Sequence, residues 1–272
     1  MQSAESDLAL LEEAVREAGG LVRELLAKPL DIKSKGDAGP VTNVDFAVNT
    51  LLHERLRAAR PDYGWLSEET PDDHADRIDK KDVFVLDPID GTAAMIAHVP
   101  QFTISIGICE DGRAAAGAIY NPMTDELYLG APGEGATRNG VPIRASLREE
   151  LEGARMIGQR KTFTNRNWAK PWPTMDIISR QSIAYRLALV AAAQADAVIL
   201  FGLKHEWDIA AGVAIVAAAR GRITDLWGAP LRFNQPDPRA PGAVASGALL
   251  HALILERTSR LPDPRTPQAE ST

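Results

Sequence analysis

The sequence predicts an α/β fold in two lobes, residues 1–145 and 146–260, followed by a polar tail over 261–272. Three observations carry this. Two amphipathic helical patterns open the chain, a run of strand patterns broken by tight-turn dipeptides follows, and strand-like and helix-like segments alternate from about Ser146 onward. The first lobe is expected to hold an antiparallel sheet, the second a set of alternating elements.

Taken in order, Leu8, Leu11, Val15, Ala18, Val22 and Leu25 recur at helical spacing over 5–28, and Pro29 ends the run. The stretch DIKSKGDAGPVTNVD is polar and punctuated by Gly and Pro, the composition of a loop. Thr42 or Asn43 can cap a second helix that stops at Pro61. DVFVLDP has the apolar run of a buried strand that ends at Asp87, and FTISIGICEDGRAAAGAIYNP forms a hairpin about Asp111-Gly112. Asn139-Gly140 marks a further turn. In the second half, GARMIG, DAVILF and RITDLW alternate with the helical stretches SIAYRLALVAAAQ and WDIAAGVAIVAAARG.

Composition narrows the function. With 272 residues, 45% hydrophobic and 25% charged, the chain can bury a large core. A formal charge of −7 argues against a binder of nucleic-acid polymers or anionic membranes, which would present a basic stripe. The single cysteine, Cys109, excludes an intramolecular disulfide framework and a cysteine-based zinc site, and fits a reducing cytoplasm. The N-terminal stretch lacks the basic-then-apolar order of a secretory signal, and the apolar run 187–203 is interrupted by Gln194 and Asp196, so a soluble cytoplasmic protein is expected.

Its acidic residues raise the sharper question. Glu68 and Glu69 follow one apolar segment, Asp87 and Asp90 close another, and Asp208 stands at the start of an apolar helix. Taken singly, DPIDG is a combination of turn residues and Asp208 a helix N-terminal acid. Gathered together, such carboxylates repel, and desolvation makes the repulsion worse. A divalent cation removes the conflict, and the carbonyl of Ile89 offers it a neutral oxygen.

The set PVTNVD (40–45), SEE (67–69), LDPIDGT (86–92), PQFTISIGI (100–108) and EWDIAAG (206–212) resembles the inositol monophosphatase-like family of metal-dependent, lithium-sensitive phosphatases, in order and in separation. The resemblance implies a layered αβαβα sandwich, usually a homodimer, holding two or three Mg²⁺ ions. By the same resemblance Glu68, Asp87 and the Ile89 carbonyl would hold one ion, and Asp87, Asp90 and Asp208 a second, with Glu68 assisting a third. Thr92 and Glu68 would position the attacking water, Asp45 would orient Thr92 or a metal-bound water, and the N–H groups of Gly91 and Thr92 would receive the phosphate. Lys35 could tune the third ion electrostatically.

Substrate choice is expected from the departures. Members acting on inositol phosphates carry an acid seven positions before the residue matched by Asp208; here that position is Phe201, which cannot accept hydroxyl hydrogen bonds and can pack against a base. The EWDIAAG and GAPLRFN wording resembles the branch acting on adenosine 3',5'-bisphosphate. Arg180 and Ser182 are candidates for the non-reacting end of the substrate, and His205 for the rim. The expected activity is therefore phosphomonoester hydrolysis of that small phosphorylated substrate. Inositol-1-phosphate and fructose 1,6-bisphosphate are the alternatives, and an inactive metal- and ligand-binding protein is the alternative of another class.

Overall fold

The computed structural model describes residues 4–36, 39–164, 168–263 and 265, so most of the expected tail lies outside the described residues. Helix α1 (Ala4–Leu26) is followed by a short antiparallel ribbon of β1 (Ile32–Ser34) and β2 (Pro40–Thr42), then by α2 (Asn43–Ala59). The ribbon replaces the loop expected there. Three paired residues a side are too few to leave a period-2 pattern against a polar background. Thr42, not Asn43, caps α2: its Oγ1 accepts from the Val44 N–H, while its own N–H donates to Asp45.

The next elements are β3 (Gly64–Ser67), α3 (His74–Arg77), β4 (Asp82–Asp90), α4 (Thr92–Ile96), β5 (Thr103–Glu110), β6 (Arg113–Asn121), β7 (Glu126–Ala131), β8 (Gly135–Arg138) and β9 (Val141–Ile143). These seven strands form one sheet in sequence order, antiparallel throughout except for β3 beside β4. The hairpin expected at Asp111-Gly112 joins β5 to β6.

The second half contributes β10 (Arg155–Ile157), α5 (Arg160–Thr164), β11 (Asp176–Ile178), α6 (Ile183–Ala191), β12 (Ala197–Leu200), β13 (Lys204–His205), α7 (Glu206–Ala218), β14 (Gly221–Thr224), β15 (Arg239–Ala240), β16 (Ala243–Gly247) and α8 (Ala248–Thr258). Five of its strands make a mixed sheet in the order β11-β10-β12-β16-β14.

Side-chain alternation stacks these parts into five layers. Phe84, Leu86, Ile104, Ile106 and Ile108 turn one face of the large sheet to α1 and α2. Val83, Val85, Ile119 and Tyr128 turn the other to α6 and α7. The far side of these two helices meets Val198, Leu200 and Ala245 of the small sheet, whose outer face covers itself with Leu250 and Ile254 of α8. Helix α7 is buried nearly all round, which explains why its sequence is apolar without a polar stripe. The order is αβαβα, as the resemblance implies.

Helix α8 also sets up a pH dependence. His251 is buried, with its ring nitrogens against Thr224 Oγ1 (2.9 Å) and Ser246 Oγ (3.2 Å). Burial, aided by the charge of Arg222, pushes its pKa down to about 4. Because the folded pKa lies below the unfolded one, its contribution is present above pH 6.5 and is lost as pH falls from there toward 4, worth up to about 3 kcal/mol. Equilibrium unfolding from pH 7 to 4 should show this slope in the native protein and a flatter one in His251→Gln.

Candidate active site

The site begins with a fault in strand β4. The sequence expectation ends the strand at Asp87, but the backbone stays extended to Asp90, with Asp87 opposite Ser105 and Asp90 opposite Thr103. Three steps on β4 thus face two on β5, a bulge of one residue. In a regular strand residues i and i+3 point to opposite faces. The extra residue puts Asp87 and Asp90 on the same face, toward α6 and α7.

Local hydrogen bonds then fix the turn. The N–H of Ile89 donates to Asp87 Oδ1 (2.9 Å). Gly91 is left-handed at φ +102, and a Cβ there would lie 3.2 Å from the Gln101 carbonyl oxygen and 3.3 Å from Phe102 Cβ, so only glycine fits. It starts α4 at Thr92. The Thr92 hydroxyl has two acceptors for its one proton, Asp45 Oδ1 at 2.8 Å and the Ile89 carbonyl at 3.0 Å. Asp45 is buried, and its other oxygen takes both the N–H (2.9 Å) and the hydroxyl (2.6 Å) of Thr42. Burial raises its pKa, and the Thr42 and Thr92 hydrogen bonds oppose the rise.

Glu68 follows β3 and reaches Lys35, whose ammonium holds both Glu68 (2.6 Å) and Glu69 (2.7 Å). Burial works against the charge on Lys35, but the two glutamates more than offset it and its pKa is raised. Asp208 arrives from the first turn of α7. Asp87 has its pKa pushed well up by burial, and Glu68, Asp90, Asp208 and Asp45 all add to the rise. Asp208 is raised likewise, by burial and then by Asp90 and Glu68. Asp45, Glu68, Asp87, Asp90 and Asp208, five of the acids singled out in the sequence, therefore share one electrostatic neighbourhood.

Ser182 and Arg180, expected at the substrate, both make hydrogen bonds within the protein. Ser182 is fully buried: it caps α6 by accepting from the Tyr185 N–H and donates to Asp90 Oδ2 (2.6 Å), so its hydroxyl orients an acid. Arg180 is half-buried, its guanidinium donating to the Ser179 carbonyl (2.7 Å). Phe201, as expected, walls a cleft of about 300 Å³. Arg186 and Lys204 line it too, and neither was singled out from the sequence. A lone arginine within IAYRLALVA was the available signal. His205 precedes the first turn of α7, with its ring stacked on Trp207, 4.2 Å between centroids.

No three His, Cys, Asp or Glu side chains among the described residues are arranged, as they stand, to hold a metal ion. Glu68 is engaged by Lys35, and Asp90 by Ser182 and the Ala184 N–H. The donor chemistry nonetheless fits a hard divalent cation: mutually repelling carboxylates with a carbonyl in the same turn. Ser105 Oγ, opposite Asp87 in the ladder, is moreover buried with no hydrogen-bond partner among the described residues.

Known proteins match this arrangement. The family model described as the inositol monophosphatase family matches residues 3–262. The Nus factor SuhB of Escherichia coli strain K12 is 30% identical over 232 residues, spanning 81% of this chain and 85% of that protein. The 3'(2'),5'-bisphosphate nucleotidase CysQ of the same strain is 29% identical over 226 residues, 82% of this chain and 92% of that one. A crystal structure of the extragenic suppressor protein suhB from Bartonella henselae superposes with a TM-score of 0.81 at 26% identity, over 94% of this chain and 100% of that one. The chain belongs to the inositol monophosphatase family, a family of phosphatases that generally depend on metal ions.

Proposed function

We propose that the protein is a Mg²⁺-dependent phosphomonoesterase that removes the 3'-phosphate of adenosine 3',5'-bisphosphate, acting as a lithium-sensitive cytoplasmic homodimer. The observation that carries the substrate choice is Phe201, a ring on the cleft wall where an inositol-binding member would present an acid. An aromatic face suits a base, not a ring of hydroxyls. The relative named as a bisphosphate nucleotidase supports the same choice.

Glu68, Asp87, Asp90, Asp208 and the Ile89 carbonyl would hold the two or three ions. When bound, these supply a water of lowered pKa and positive charge at the phosphoryl oxygens. The protein's own part is positioning. With its proton committed to Asp45 or Ile89, the Thr92 oxygen can only accept, and so it orients a water by taking one of its hydrogens. Asp45 is held in turn by Thr42, so this acceptor is rigid. Ser182 holds Asp90 from the other lobe.

Phosphate release with Mg²⁺ tests the reading, comparing adenosine 3',5'-bisphosphate with inositol-1-phosphate, with and without lithium. The expected result is a kcat/KM at least about tenfold higher for the nucleotide, with inhibition by lithium. A reversed preference would assign the chain to the inositol ester that names its family. Release from neither ester, nor from fructose 1,6-bisphosphate, with Mg²⁺ still raising the Tm, would identify a binding protein.

A further inference from the structure

Beside the acids stand two cations, Arg186 and Lys204, that form no ion pair among the described residues. Arg186, on α6, uses Nε and Nη2 on the carbonyls of Arg180 (2.8 Å) and Gln181 (3.0 Å), and its Nη1 makes no hydrogen bond among the described residues. The Lys204 ammonium donates, among the described residues, only to the Leu203 carbonyl (3.0 Å). Neither forms an ion pair among the described residues, although the chain carries seven more negative than positive charges. Both side chains are half-buried, and both line the 300 Å³ cleft with Phe201 and Gln181.

The cleft adjoins the acids: Gln181 and Ile183, which line it, flank Ser182, the donor to Asp90 Oδ2 (2.6 Å). Burial lowers the pKa of Arg186, with Asp90 opposing. Burial likewise lowers that of Lys204, where Asp208 opposes and the charge of Arg186 adds to the effect. Two like charges are thus kept close together and partly out of water, an arrangement that favours an incoming anion. Lone surface lysines are held apart by solvent, but this pair converges on one concave, partly aromatic space.

We propose that the Arg186–Lys204 cleft binds a second anionic group, a phosphate or carboxylate, on the alcohol portion of the substrate, and so selects esters that carry two anions. The inference rests on the phosphomonoesterase reading and deepens it. Phe201 lines the same cleft, where Arg186 supplies a planar donor and Lys204 a point charge.

The test measures KM and kcat for adenosine 3',5'-bisphosphate, adenosine 3'-phosphate, fructose 1,6-bisphosphate and inositol-1-phosphate in the native protein, Arg186→Gln and Lys204→Gln. Adenosine 5'-phosphate, which offers only the non-reacting group, serves as competitor. Each neutralisation is expected to raise KM for the two-anion substrate on the order of tenfold or more, and the inhibition constant of the competitor in parallel, with kcat changed far less. Arg186→Lys should recover part of the loss. If fructose 1,6-bisphosphate is preferred and the variants lose it, the anion site stands and the nucleotide reading falls. If adenosine 3',5'-bisphosphate is preferred but both variants keep its KM within twofold while melting like the native protein, the anion site is overturned and the nucleotide reading stands.

Discussion

Asp87→Asn is expected to lower kcat/KM for phosphate release by about a thousandfold, while the fold survives and the metal-free protein melts no lower than the native one. That combination is unusual for a buried residue, and it follows from the site. Asp87 is 3% exposed and faces Glu68, Asp90, Asp208 and Asp45. Asparagine keeps the shape and can still accept from the Ile89 N–H, so the turn is retained. It removes the charge that the other acids repel. The folded-state pKa of Asp87 is raised, so the folded state binds the extra proton and native stability falls as pH rises through that pKa. The variant should show less of this fall. Thermal melts at pH 5 and 8, with and without Mg²⁺, check it: the native protein should gain several degrees from Mg²⁺ at pH 8 and the variant little. Near-native turnover in Asp87→Asn would sink its assignment as a metal ligand.

The second large effect lies away from the acids. Gly117 on β6 faces α7 so closely that a Cβ would lie 2.4 Å from the Ala211 carbonyl oxygen and 2.8 Å from its Cα. Those are backbone atoms of a buried helix and cannot swing aside. Gly117→Val should therefore lift α7 and cost roughly 3 kcal/mol, a drop in Tm on the order of 6–10 °C. Since Asp208 rides on the first turn of α7, the response of the Tm to Mg²⁺ should shrink as well. Calorimetry with a Mg²⁺ titration reads both. A Gly117→Val protein melting within 2 °C of the native one (about the spread of a neutral surface change) would contradict the packing described.

Much of this was legible in the sequence because local chemistry decided it. The DG hairpin, the helix capped at Thr42 and the apolar α7 all carry their signals within a few residues. The five acids were legible through their order along the chain. What escaped depends on partners distant in sequence. The bulge between Asp87 and Asp90 exists only relative to β5, and no single strand records its own register. Ser182 looked like a ligand group because its partner, Asp90, lies 92 residues away. Helix α8 went unassigned; it starts at Gly247 without a side-chain cap, so its entry carries no marker. Arg186 was overlooked because a charge in an apolar helix has meaning only once the neighbouring cleft is known.

The position of α6 and α7 between two sheets has a consequence for synthesis on the ribosome. Four of the five acids belong to the first 145 residues, and so does the large sheet, yet one apolar face of that sheet is covered only by helices encoded after residue 180. A nascent chain emerging N-terminus first must hold that face uncovered while the intervening stretch is translated. In that interval it has the hydrophobic exposure of an aggregation-prone intermediate. Contacts of such long sequence separation also slow the final docking. The event that ends this exposure, the arrival of α7, also delivers Asp208. Chaperone dependence and acquisition of activity should therefore switch together, once α7 has been translated.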